Sequence, residues 1–256
     1  MEATDLFGVL IPVTYLLMFI LERIWPARSF PPIRFWSLIG FGFLMLMATL
    51  ATVIPLLIPE QWQAEHRLMD GRFLGVVPGA IVGYGVYSFA AYCYHRATHT
   101  FPWLWRHTHQ LHHSAQRVDM PGAALFHPFD ISLYVLLSVF TSSLVLGLDP
   151  LAAAITGYIA SFYSFFQHLN VRTPVWLGYF IQRPEAHCIH HKRDLHAFNY
   201  GDLPIWDILF GTFRNPREFS GEVGFDSPQA QQFGKMLLCQ DVNQEEHVNF
   251  GVPKSA

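Results

Sequence analysis

Residues 76–99, VVPGAIVGYGVYSFAAYCYHRATH, run from an apolar stretch directly into His95-Arg-Ala-Thr-His99. The first part is long and greasy enough to be a membrane helix. The second puts two imidazoles four residues apart, on one face of that helix, at its end. The same chemistry recurs at His109-Gln-Leu-His112-His113 and at His187-Cys-Ile-His190-His191. A lone histidine is usually a satisfied interior residue. Two HxxHH clusters and an HxxxH in 256 residues read instead as metal ligands.

Working outward, composition sets the class. The chain is 52% hydrophobic and 14% charged, with mean hydropathy +0.25, against about 25% charged residues in an average soluble domain. Apolar runs occupy Leu6 to Leu21, Trp36 to Ile58, Val76 to Tyr94, Ile131 to Leu146 and Leu151 to Phe166. A helix needs about 20 residues to cross a hydrocarbon layer about 30 Å thick. The second run spans easily, and the last two are marginal. Those two are joined by Gly147-Leu-Asp149-Pro150, a helix stop and start that makes them a hairpin. Its arms either just span or dip in and return on the same side. The expected fold is therefore all-α: an integral-membrane bundle of about five hydrophobic helices with a histidine-rich cytoplasmic cap.

Positive charge gives the orientation. With the N-terminus outside and five crossings, 14 of the 16 basic residues fall inside, and only Arg67 and Arg72 lie outside. The histidine clusters and the C-terminus then share the cytoplasmic face. The first run carries Glu2 and Asp5 and lacks a basic leader, so it reads as a retained helix rather than a cleaved signal. The loop around Trp103-Leu-Trp105-Arg106 suits a short interfacial helix under the membrane that carries the second cluster.

The chain, residues 1–256, reads as one membrane-embedded domain without repeats, and residues 214–256 read as a loosely attached tail without chemistry. Cys93, Cys188 and Cys239 are isolated thiols, unable to supply a four-thiolate cluster, and Cys188 is expected to pack rather than ligate. A net charge of −3 without a long basic run argues against a nucleic-acid partner.

Eight or nine clustered imidazoles exceed one four-coordinate site and suggest two ions. HExxH is absent, as is a closely spaced carboxylate set of the ferritin type. The order HxxxH, HxxHH, lone His168, HxxHH between apolar helices resembles the fatty acid hydroxylase and sterol desaturase superfamily of integral-membrane di-iron oxygenases. Leu104-Trp105, Phe126-His127-Pro128, Asn199-Tyr200-Gly201 and Trp206-Asp207 through Thr212 add to the resemblance, which covers about residues 76–213.

The resemblance implies two iron ions held by His95, His99, His109, His112, His113, His168, His187, His190 and His191. It also implies O2-dependent hydroxylation of a lipid C–H bond (fatty acyl, sterol or related), or desaturation at the same site. Several members carry a further histidine where this chain has Ser164, so His127, Asn170 and His196 are second-rank ligand candidates. Asp194 and Asp207 are candidates for orienting ligand rings, Asp207 alternatively as a helix cap. His66, His107 and His247 are expected to face water. No fused flavin or cytochrome domain and no GxGxxG fingerprint is visible, so electrons are expected from a separate protein or a small reductant. The competing class is a membrane metal transporter or a haem-binding electron carrier.

Overall fold

The computed structural model describes residues 3–243. It is helical throughout, and among the described residues the only β-type pairing is an isolated bridge between Lys192 and Val223. The long elements are α1 (Ala3–Ile24), α2 (Trp36–Leu56), α4 (Val76–Thr98), α8 (Pro128–Val139) and α9 (Pro150–His168), with the short α3 (Glu60–His66) after α2. α8 continues through a π-helical stretch, Phe140–Val145, into a single rod.

Among the described residues, four helices are long and apolar enough to cross a membrane: α1, α2, α4 and the rod Pro128–Val145. Their outward residues are apolar, for example Leu17 at 63% exposed, Leu38 at 68% and Ile81 at 67%. The chain is an integral membrane protein. α9, the fifth helix expected from sequence, has 19 residues and falls outside that set of four. It packs along both α1 and α4, so its wall is protein, and it can carry Thr156, Ser161, Ser164 and Gln167.

Close approach of α4 and α9 comes from small residues. A Cβ on Gly83 would lie 2.6 Å from Thr156 Oγ1, and one on Gly79 3.2 Å from Ala152 Cβ, the small-residue packing by which membrane helices associate without a hydrophobic drive. The hairpin tip settles the alternative left open by its length. Gly71 N donates to Leu146 O (2.8 Å) and Leu68 N to Leu144 O (2.6 Å), so the tip reaches the α2–α4 connection at the far end of the bundle. Gly147 turns there with φ +55°, where Met69 O would collide with a side chain.

Toward the opposite end lie the short helices that carry or flank the clusters: α5 (Pro102–Leu104), a π-helical turn (Trp105–His109), α6 (Gln110–Ser114), α7 (Met120–Ala123), α10 (Pro184–His190), α11 (Pro204–Leu209) and α12 (Phe233–Leu237). The loop around Trp105 is helical as expected, but the second cluster is buried in the protein rather than laid on a surface. Glu22, 4% exposed in α1, ties this end together by accepting from Met120 N (3.0 Å) and Asn170 N (3.2 Å). Arg183, fully buried, donates to Thr173 O, Asn215 Oδ1 and Pro216 O, and pairs with Glu185.

The expected tail, residues 214–256, is described only as far as residue 243. Within residues 214–243, Phe225 and Met236 are buried against Trp105 and Leu111. Gly224 N donates to His191 O, and Phe225 N to Ser114 O. Apolar side chains spaced through a segment of weak periodicity are enough to seal it onto the second and third clusters.

Candidate metal centre

Helical phase decides which histidines meet. Successive residues are turned by about 100°, so i and i+4 point nearly together while i+3 leans to the side. In the second cluster His109 and His113 join one group and His112 the other; in the third, His187 and His191 share a group while His190 crosses over. His95 and His99 lie with His109, His113 and His190; His168 lies with His112, His187 and His191. Within each group the ligand atoms lie within 4.8 Å of one another. None of the nine rings is more than 7% exposed. The two groups abut, with His113 and His191 stacked at a centroid distance of 4.1 Å.

The tautomers follow from what the outer nitrogens touch. His95 Nδ1 lies 2.7 Å from Tyr200 O, and His109 Nδ1 lies 2.7 Å from Asp130 Oδ2. A carbonyl or a carboxylate only accepts, so each Nδ1 carries the proton and each Nε2 presents a lone pair. These two Nε2 atoms are 2.9 Å apart. The other group repeats the arrangement: His112 Nδ1 donates to Leu125 O (3.2 Å), His168 Nδ1 donates to Ser164 O (2.7 Å), and their Nε2 atoms are 3.1 Å apart. His190 Nδ1 donates to Phe198 O, leaving Nε2 buried without a partner, as are His99 Nε2 and His113 Nε2.

Facing lone pairs make no hydrogen bond, and a buried unsatisfied nitrogen is costly. Two imidazole nitrogens about 2.1 Å from a shared ion and at right angles to each other lie about 3 Å apart. The donor set therefore suits a cation in each group. Burial, followed by the neighbouring imidazoles, pushes His99, His112, His113, His187, His190 and His191 well below the usual histidine range. Neutral imidazole is the form that ligates.

The second-rank candidates lie outside both groups. His127 caps α8, accepting from Phe129 N, and its Nε2 faces Leu237 O. Asn170 is tied to Arg28 through N–H, C=O and guanidinium. His196 is buried with its Nδ1 3.0 Å from His113 Nδ1, so it supports a ring of the five-histidine group from behind. Ser164, at the position of the missing histidine, supplies the carbonyl that orients His168.

Among the acids, Asp194 sits exposed in a turn. Asp207 accepts from Tyr200 N, Gly201 N and Thr212 Oγ1, acting on His95 only through the loop. The acid that touches a ring is Asp130, which also accepts from Tyr94 OH (2.7 Å). Its sequence signal was slight, a single acidic residue in the first turn of α8. Gln182 is a second missed residue: its amide nitrogen lies 2.9 Å from His187 Nδ1 and donates to Gln167 Oε1 and Asn199 O. Cys188 packs with Val118 and Val223, and burial pushes its thiol up to about 12. His66 and His107 each fold back on a carbonyl of their own helix, away from the groups. His247 lies outside the described residues.

The fatty acid hydroxylase family profile matches residues 80–212. The chain is 32% identical over 207 residues to an ornithine lipid hydroxylase of Rhizobium tropici, covering 76% of this chain and 57% of that protein. It is 31% identical over 135 residues to the alkylglycerol monooxygenase of Homo sapiens, 51% of this chain and 29% of that one. With a Delta(7)-sterol-C5(6)-desaturase of Nicotiana tabacum it shares 31% over 163 residues, 59% and 55% of the two chains. No solved structure matches.

Proposed function

The chain belongs to the fatty acid hydroxylase family, and on that premise we propose that it is a membrane oxidoreductase that hydroxylates a C–H bond of a lipid with O2, two electrons and two protons. His95, His99, His109, His113 and His190 would hold one iron ion, and His112, His168, His187 and His191 the other. When bound, such a pair supplies O2 activation, one oxygen passing into the alcohol and the other into water.

The chain's own part is positional. Tyr200 O, Phe198 O, Ser164 O, Leu125 O and Asp130 hold protons on the outer ring nitrogens, so the inner nitrogens stay aimed and unprotonated. Burial keeps bulk water from the centre. The apolar helices beside it can present a lipid chain without drawing it into water. Electrons come from a separate protein or a small reductant. The excess of basic residues on the histidine side supports a cytoplasmic location for that side, with the N-terminus outside.

The single observation that carries this reading is the convergence of lone pairs fixed by backbone acceptors. It also weighs against the competing class. The rings sit at the ends of α4 and α9, not midway along them as a transport pathway would need. Neighbouring ring centroids within the groups lie only 4.3 to 5.4 Å apart, too close to admit a porphyrin. The desaturase relative keeps desaturation as the alternative outcome at the same site.

Two measurements test the proposal. The purified protein should carry two iron atoms per chain, and cells with and without it should differ by lipids with one added oxygen or two fewer hydrogens. His112→Ala should lose turnover while still inserting in the membrane; full activity in that variant would overturn the assignment.

A further inference from the structure

The cap carries an apolar surface that the metal centre does not use. α11 follows Asp202-Leu203 and begins on Pro204. Outward it shows Ile205 (51% exposed), Ile208 (49%) and Leu209 (65%), with Phe210 (48%) just beyond its end. Beside it the 3-10 turn Val175–Tyr179 and the next residue show Trp176 (62%), Tyr179 (60%) and Phe180 (67%). Seven large apolar side chains on two neighbouring short elements exceed the scattered singles expected of an aqueous surface.

Its height in the bundle identifies what covers it. Trp206 Nε1 donates to Ser88 Oγ (3.1 Å), its ring lies 4.9 Å from Phe89, and Phe210 stacks on Tyr92 at 5.4 Å. Ser88 is about 18 Å along α4 from Val76, and Thr98 is about 15 Å further on. A hydrocarbon layer about 30 Å thick that begins at Val76 therefore still surrounds the level at which α11 docks. The patch is continuous with Phe89, itself 40% exposed, on the lipid face of α4.

A second observation is independent of exposure. Irregular backbone at hydrocarbon depth must have its polar groups satisfied by protein. Here the fully buried Asp207 takes Tyr200 N, Gly201 N and Thr212 Oγ1 on its carboxylate. Its carbonyl takes Thr212 N (2.8 Å) and Phe213 N (3.1 Å), and Thr212 O takes Asn199 N. The exposed Arg214 comes next and stacks over Phe198, a cation where the chain would regain the headgroup level.

We infer that α11 and the Val175–Phe180 turn re-enter the hydrocarbon layer beside α4 on the histidine side, with the acyl chains of the surrounding bilayer as their partner. The two elements then form a lipid-bathed wall. Acyl chains reach the loop whose Tyr200 carbonyl orients His95. This inference needs only that α4 spans the membrane, and it stands or falls separately from the oxygenase proposal.

Spin labels read it directly. In a Cys93→Ser, Cys239→Ser background reconstituted in phospholipid nanodiscs, labels at Leu209→Cys and Phe180→Cys are compared with Val53→Cys on the lipid face of α2 and the exposed Glu218→Cys. Power saturation should show O2 collisions exceeding those of a water-soluble nickel chelate by several-fold at 209 and 180, as at 53 and opposite to 218. Chelate access like that at 218 would overturn the inference, as would occlusion from both reagents, which would mean that a second copy covers the patch. Carbene labelling of the unsubstituted protein checks the same point without mutation: a lipid-soluble diazirine should label Trp176, Phe180 and Leu209, and preferential labelling there by a water-soluble one would sink it.

Discussion

The five-histidine and four-histidine groups share the second and third clusters and differ in the long helix that completes them, α4 for one and α9 for the other, and they are braced differently. In the first, two rings lean on one loop, Phe198 O and Tyr200 O, a third on the Asp130 carboxylate and a fourth on His196. In the second, the outer contacts are neutral: Ser164 O in α9 itself, Leu125 O at 3.2 Å and the Gln182 amide, while His191 Nδ1 has no partner. An anionic acceptor makes a ligand imidazole more basic. The difference teaches where to look: the five-histidine group should hold a cation more tightly than the four-histidine group, which has one imidazole fewer and lighter bracing.

The sharpest way to break that contrast is to remove the charge. Asp130→Asn should lower metal affinity at the five-histidine group by about 10- to 100-fold, whereas Gln182→Leu should weaken the four-histidine group by less. Chelator competition, read as ions retained per chain, compares them; equal losses would erase the distinction.

A smaller effect is expected at His196. His196→Leu should cost the five-histidine group affinity toward the lower end, about tenfold. His196→Asn should restore most of it, because an amide oxygen can stand where the acceptor nitrogen was. If leucine and asparagine behave alike, His196 is only filling space.

The smallest effect is one both groups should share. In the metal-free protein, His99, His112, His113, His187, His190 and His191 sit well below their unfolded values, and His196 falls to about 3. As pH falls below about 6.5, the unfolded chain binds protons that the folded one refuses, so stability drops with acidity. Asp202, raised by burial to about 7, and Asp207, raised to about 6, act in the opposite sense between their ordinary carboxylate values and those. The histidines outnumber them, so the unfolding temperature of metal-free protein in nanodiscs should fall between pH 7 and pH 5. A flat or rising profile would contradict the neutral-imidazole assignment.

Much of this convergence could be read from the chain because its histidines are repeated, and repetition in helical phase is visible without coordinates. All nine expected histidines fall in the two groups. Helical phase gives the split within each cluster, but which clusters pair could not be read, since that depends on a π-helical turn through Trp105–His109 and on how α9 and α10 meet. Asp130 and Gln182 escaped because each is a single residue whose role exists only across the fold. The length of α9 was legible but its surroundings were not: a helix walled by α1 and α4 tolerates hydroxyls that a lipid-facing one would not. The packing within residues 216–243 was not legible for the reverse reason, since a strap held by a few buried side chains such as Phe225 and Met236 has no period to detect.

That strap puts the closure of the histidine pocket in the hands of a segment remote from it in sequence: Val223 to Met236 closes over His191, Ser114 and Trp105. A nick in it should therefore let water reach the imidazoles while every long helix stays intact.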